Sequence, residues 1–258
     1  NIAIFSWDKA GVGDSQGNWL HQSMEARAEE AVAALKLMQL RYPEVQVGFL
    51  GFSQAGWVIP IAASQSQPAF SVIIGGAVNW REQGQYYQKL RYEQQGKTPD
   101  EIIQLLAKDQ KENDDIFGLH GTKDRTRRND MSEDRFNFVV KNYLSDSSSY
   151  LRKMNGRILA VWGNNDLNVN AQLNACRYRA ILNTHHQADI VVFPHASHGL
   201  LRVPEFNYQL ESDWPIYRQL QFLWAGRKAY TEGSLLLIID WIKNKNPDFS
   251  PYNMDCNL

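Results

Sequence analysis

Cysteine is nearly absent: Cys176 and Cys256 are the two in 258 residues. They are too few and too far apart to read as a disulfide framework or a metal site. Long hydrophobic runs are lacking too. None approaches the ~20 residues that a bilayer-spanning helix needs, so no membrane span is expected. Neither sign of charge is in excess, since 27 Lys and Arg face 28 Asp and Glu. That balance points to neither nucleic acid nor an anionic membrane. The chain also opens without an initiator Met or a signal peptide, and Asn1 leads almost directly into Ile2-Ala3-Ile4-Phe5-Ser6-Trp7. It reads as a piece of a longer protein, which leaves compartment unassigned. No repeat or low-complexity tract is present, and nothing sets an oligomeric state.

Against these absences stands an apolar fraction of 43%, enough for a sizeable core in one large domain. Residues 2–7 read as a buried strand and 8–17 as a turn-rich loop. A helix is expected from Ser23 to Arg41, with Ala28, Ala31, Val32, Leu35 and Met38 on one face, ended by Pro43. Strands follow at 45–50, 70–74, 158–162 and 190–193, with a helix over 54–65 and a closing helix over 231–244. Residues 80–155 break this alternation. They are polar and helical, and Thr98-Pro99-Asp100-Glu101 offers an N-cap, a proline in the first turn and a glutamate three residues after the cap. Strands alternating with helices predict an α/β fold with a mostly parallel sheet.

The chemistry concentrates at three strand ends. Gly51-Phe52-Ser53-Gln54-Ala55-Gly56 sits between strand 45–50 and a helix. A turn that tight needs small residues at 51 and 55. It lifts the Ser53 hydroxyl out of the sheet and frees the Gln54 amide to receive an oxyanion. Serine needs a base, usually histidine, oriented by a carboxylate. Asp166 follows strand 158–162 within Gly163-Asn164-Asn165-Asp166, and His198 follows strand 190–193 within Pro194-His195-Ala196-Ser197-His198-Gly199. Loops at the carboxyl ends of parallel strands are where sites collect. His195 competes with His198 for the role of base, with His198 favoured. His195, His198, His185 and His186 lack the carboxylate or thiolate partners of a recognisable metal site, so neither metal nor cofactor is expected. Trp57 and Trp162 flank the proposed site and are read as lining a substrate pocket, with core packing an equal alternative.

These pieces resemble the α/β-hydrolase superfamily, in its branch of serine hydrolases related to prolyl-oligopeptidase-like peptidases, dienelactone-hydrolase-like enzymes and acyl esterases. The resemblance rests on Trp7-Asp8-Lys9-Ala10-Gly11-Val12-Gly13-Asp14-Ser15, Gly51-Phe52-Ser53-Gln54-Ala55-Gly56-Trp57, Val161-Trp162-Gly163-Asn164-Asn165-Asp166 and His195-Ala196-Ser197-His198-Gly199. It implies an α/β-hydrolase fold with helices flanking the sheet, Ser53 as nucleophile, His198 as base and Asp166 as its orienter. It also implies that 1–79 and 156–258 are two parts of one core, with 80–155 a helical cap inserted between them. The family's earlier strands, and the loop that gives a second oxyanion donor, are not in this sequence. A longer natural protein is therefore expected. The implied activity is cleavage of a carboxylic ester, or of a thioester or peptide amide, in a small molecule or short peptide-like substrate. The alternatives are acyl transfer by the same triad and a non-catalytic hydrolase-like binding domain.

Overall fold

The computed structural model describes residues 2–185, 187–252 and 255–256; His186 lies outside them. The elements run α1 (Met24–Arg41), β1 (Phe49–Phe52), α2 (Ala55–Ser64), β2 (Phe70–Ile74), α3 (Trp80–Gln94), α4 (Pro99–Phe117), α5 (Glu133–Asn142), α6 (Ser148–Leu151), β3 (Arg157–Gly163), α7 (Ala171–Ile181), β4 (Ala188–Phe193), α8 (Ile216–Ala225) and α9 (Ser234–Ile242). The four strands form one sheet in the order β1-β2-β3-β4, and every neighbouring pair is parallel. The expected α/β architecture is the one found.

Strand alternation sorts the core into two layers. Ile73, Ile158, Ala160 and Trp162 point to the face covered by α1, α2 and α7. Val72, Ile74, Leu159 and Val161 point to the other face, under Leu237, Ile238 and Trp241 of α9. Burial on both faces is why β2 and β3 read as continuous apolar runs rather than alternating ones. Ser23 caps α1 by accepting from the Ala26 N–H. The predicted start of α4 is a full capping box between Thr98 and Glu101. The helices α3 to α6 all fall between β2 and β3, within the block that broke the strand–helix rhythm.

Three expectations require correction. Residues 2–7 form no strand among the described residues and lie exposed, Ile4 at 87%. An apolar run stays extended in a sheet only where a neighbour supplies a ladder, and this one has none. β1 in turn is an open edge with Leu50 and Phe52 about half exposed. It also begins at Phe49 rather than at position 45, because Val45 still closes the turn after α1 through its N–H to Tyr42 O.

The third correction concerns sulfur. Cys176 in α7 and Cys256 form a disulfide with Cα atoms 5.4 Å apart. Their 80-residue separation says nothing about distance once β4 and α9 fold the tail back. Cross-linking so long a loop removes about 4.5 kcal/mol of chain entropy from the unfolded state. Cys256→Ser is expected to lower the unfolding free energy by roughly 2–4 kcal/mol in a urea titration. An unchanged midpoint would mean that the bond does not hold the tail in solution.

Candidate active site

Ser53 stands where β1 ends and α2 begins, at φ +54, a left-handed conformation that non-glycine residues rarely take. Its N–H donates to Ile74 O at 2.8 Å and its carbonyl accepts from Gly56 N–H at 2.9 Å, which locks the turn. The tightness predicted from the sequence is measurable. A Cβ on Gly51 would come within 2.5 Å of the Ala55 Cβ. Gly56 packs as closely on the loop after β2, where a Cβ would lie 2.6 Å from Gly76 Cα. Gln54 caps α2, and among the described residues its N–H has no backbone acceptor. A free amide at a helix start beside a hydroxyl is a suitable place for developing negative charge.

Asp166 and His198 meet across the ends of β3 and β4. His198 Nδ1 lies 2.7 Å from Asp166 Oδ2, and the carboxylate side chain is wholly buried. The other carboxylate oxygen, Oδ1, accepts the N–H groups of Asn168 at 2.7 Å and Val169 at 2.8 Å. The acid is thus held at three points, and its hydrogen bond to Nδ1 puts the proton of a neutral imidazole there and the lone pair on Nε2. The ring sits against Gly75 at the end of β2, where a Cβ would be 2.9 Å from both Cε1 and Nδ1. Gly75 follows the Ile74 carbonyl that holds Ser53, so one strand end separates serine and histidine. Among the described residues Ser53 Oγ has no hydrogen-bond partner, His198 included. The structure therefore joins two of the three residues directly and brings the third to the same strand ends. Nucleophile–base hydrogen bonds are often long before substrate enters.

His195 is not in this arrangement. It is exposed, and its backbone N–H donates to Asn164 Oδ1 at 2.8 Å, tying the two strand-end loops together. Asp189 accepts from Trp241 Nε1 and so anchors α9, as suits a strand-edge residue.

A cavity of about 170 Å³ opens beside Ser53, lined by Gln54, Trp57, Trp80, Gln83, Arg135 and Val169 among others. Trp57 lines this cavity, its indole N–H fixed on Val78 O. Trp162 does not, and the reading of it as a pocket residue is corrected. It is fully buried, donates to Gly76 O at 2.9 Å and packs edge-on against Tyr178. As an even-numbered β3 residue it faces α7 and fills the core there. A larger cavity of about 580 Å³ lies among the helices between β2 and β3, near Arg81, Asp114 and His120, and its lining includes none of Ser53, Asp166 and His198.

Sequence reading missed the residues that support these groups from other elements. Arg27 of α1 is 8% exposed and hydrogen-bonds the Gln54 side chain with Nη1, its guanidinium lying over Trp19. Burial lowers its pKa from the usual arginine value. Tyr86 of α3 donates its hydroxyl to Asp166 O at 2.9 Å. Burial first, and the nearby Asp166 charge second, push that phenol up to about 12, so it remains a donor at neutral pH. Gln209 donates to both Tyr87 O and Leu167 O, closing the acid loop from the far side.

A parallel sheet, a serine at positive φ on a strand-to-helix turn and a carboxylate–histidine pair at the following strand ends are the arrangement of an α/β-hydrolase fold. More narrowly, residues 29–230 match the family described as BAAT / Acyl-CoA thioester hydrolase C terminal, and the chain belongs to that family. No curated protein gives a significant match by sequence. Among solved structures, the chain is similar to an acylaminoacyl peptidase from Pyrococcus horikoshii, at 12% identity and TM-score 0.42, over 72% of this chain and 27% of that one. A lipase-esterase related protein from Clostridium acetobutylicum is similar at 14% identity and TM-score 0.44, over 75% of each chain. A puromycin-hydrolyzing peptidase from Mycobacterium tuberculosis gives 16% and 0.43, over 70% of this chain and 24% of its own. The chain thus spans about a quarter of the length of both peptidases.

Proposed function

We propose that this chain carries the catalytic centre of a serine hydrolase that cleaves acyl thioesters or esters through an acyl-enzyme. The observation behind this reading is the buried Asp166 carboxylate on His198 Nδ1, at strand ends shared with the strained Ser53 turn. Membership of the BAAT / Acyl-CoA thioester hydrolase C-terminal family favours a thioester among the acyl bonds that such a centre can attack.

In the proposed sequence, Ser53 Oγ attacks the acyl carbonyl while His198 Nε2 takes the hydroxyl proton. The oxyanion forms against the Gln54 N–H. Collapse of the tetrahedral adduct expels the leaving group, which takes the proton from His198 and leaves the imidazole neutral again. Water, deprotonated by the same imidazole, then attacks the acyl-Ser53 ester and releases the acid. Asp166 holds the imidazole in the required tautomer and stabilises the imidazolium. The cavity beside Ser53 is smaller than the ~300 Å³ at which sites begin to enclose drug-sized ligands. It suits the reacting end of a substrate rather than the whole of one.

A fluorophosphonate probe should label the protein at Ser53, and the Ser53→Ala variant should be unlabelled. Labelling that persisted in the variant would reject Ser53 as nucleophile. An acyl-CoA assay read by release of free thiol then distinguishes a thioesterase from an enzyme confined to oxygen esters.

A further inference from the structure

The net charge of the whole chain gives no reason to expect contact with a membrane, but helix α8 does so locally. Its sequence, Ile216-Tyr217-Arg218-Gln219-Leu220-Gln221-Phe222-Leu223-Trp224-Ala225, is amphipathic, yet its apolar face looks outward. Ile216 is 75% exposed, Leu220 61%, Leu223 72% and Trp224 91%, with Tyr217 beside them. At helical spacing these five residues fall within an arc of about 120°. The opposite side holds the helix on the protein, through Phe222 packed against Phe206 and Trp214. An outward apolar stripe of this kind marks a surface with an occupant.

Charge narrows the occupant. From Trp214 to Thr231 there is no Asp or Glu; Arg218 lies on the protein-facing side, its Nη1 on Gln221 Oε1, and the outward cations in that span are Arg227 and Lys228. Arg227 and Lys228 are exposed, just past the C-terminal end of α8. A second copy of the chain meeting this face about a two-fold axis would set these cations against their own copies. A surface of anionic headgroups over an apolar interior complements both features, and Trp and Tyr are the aromatic residues suited to that boundary.

Position gives the feature a use. The segment leading into α8 is fastened to the loop that carries Asp166. Asn207 donates to Asn165 O at 3.0 Å and Gln209 to Leu167 O at 2.7 Å, and Phe206 lies in the same stretch as the base of the helix packing. We propose that α8 is a peripheral docking element that lays Ile216, Leu220, Leu223 and Trp224 into an anionic lipid surface beside the candidate active site. There it would favour acyl substrates that partition into lipid. The docking itself does not depend on the proposed chemistry, and its test reads binding alone.

The test is sedimentation of the protein with vesicles of equimolar phosphatidylcholine and phosphatidylglycerol, against vesicles of phosphatidylcholine alone. Partitioning should be at least roughly tenfold stronger onto the anionic vesicles, at about 1 kcal/mol per basic residue near the surface. It should fall roughly tenfold or more in Leu220→Gln/Trp224→Gln, whose side chains are exposed and leave the core intact. Arg227→Gln/Lys228→Gln should weaken it by a similar factor, and circular dichroism of each variant checks the fold. Failure to bind vesicles would overturn the proposal, as would binding indifferent to both double substitutions. So would a dimer, seen by light scattering, that Leu220→Gln/Trp224→Gln dissolves, since a second copy would then be the occupant. Loss of Ser53 labelling with vesicle binding intact would count against the catalytic reading alone.

Discussion

His198→Ala is expected to lower kcat for acyl-ester or thioester turnover by roughly 10⁴-fold or more, as removal of the base does in serine hydrolases with a Ser-His-Asp triad. Ser53 would lose its proton acceptor, and the leaving group its donor. The substitution also strands Asp166 Oδ2, which is buried and accepts from His198. A cost of about 1–3 kcal/mol in stability is therefore expected, the usual desolvation penalty of an unpartnered buried group. Circular dichroism and thermal unfolding of the variant separate this from the kinetic loss, because a folded protein with normal substrate binding and no turnover isolates the base. His195→Ala is the internal comparison. That ring is exposed, and its backbone rather than its side chain ties the loops together, so kcat should stay within a few-fold of the parent. A loss on His195→Ala with His198→Ala silent would reverse the assignment of the base.

Much of this site could be read from the chain because each proposed catalytic residue follows its strand within a few positions. Strand ends on one edge of a parallel sheet are neighbours whatever their separation in sequence. That is how residues 53, 166 and 198 could be grouped without a structure. The reasoning fails for residues whose neighbours come from another layer. Arg27 reaches Gln54 from α1, and Tyr86 reaches the Asp166 carbonyl from α3. Neither contact has a local sequence signal, since each depends on where a helix lies across the sheet.

The two tryptophans show the same boundary at finer scale. Both adjoin a proposed catalytic segment, yet Trp57 lines the cavity beside Ser53 and Trp162 is core. Alternation along β3 decides the second case. Ile158, Ala160 and Trp162 share one face, and that face is covered by α7, where Tyr178 meets the indole. Periodicity alone tells that Trp162 and Val161 point in opposite directions; it does not tell which side the helices take. The run at 2–7 fails for a related reason. Its composition suits a strand, but strand structure belongs to a pair, and among the described residues no partner is present.

Asp166→Asn should be nearly as damaging as loss of the histidine, with kcat lower by on the order of 10⁴-fold and little change in fold. The geometry dictates why. Oδ1 of Asp166 accepts two backbone N–H groups, from Asn168 and Val169. An asparagine must keep its carbonyl oxygen there, since turning the amide over would set an NH₂ group against two donors. Its NH₂ is therefore forced into the place of Oδ2, 2.7 Å from His198 Nδ1 in the parent. Nδ1 must then accept, which puts the imidazole proton on Nε2. A base with its proton already in place cannot take one from Ser53. Because both loop hydrogen bonds and the side-chain volume are kept, thermal unfolding should move by no more than about 1 kcal/mol. Fluorophosphonate labelling should slow in step with kcat, while KM changes little. If Asp166→Asn retained full turnover, Asp166 would be a structural clasp of the 163–169 loop, and another group would have to orient His198.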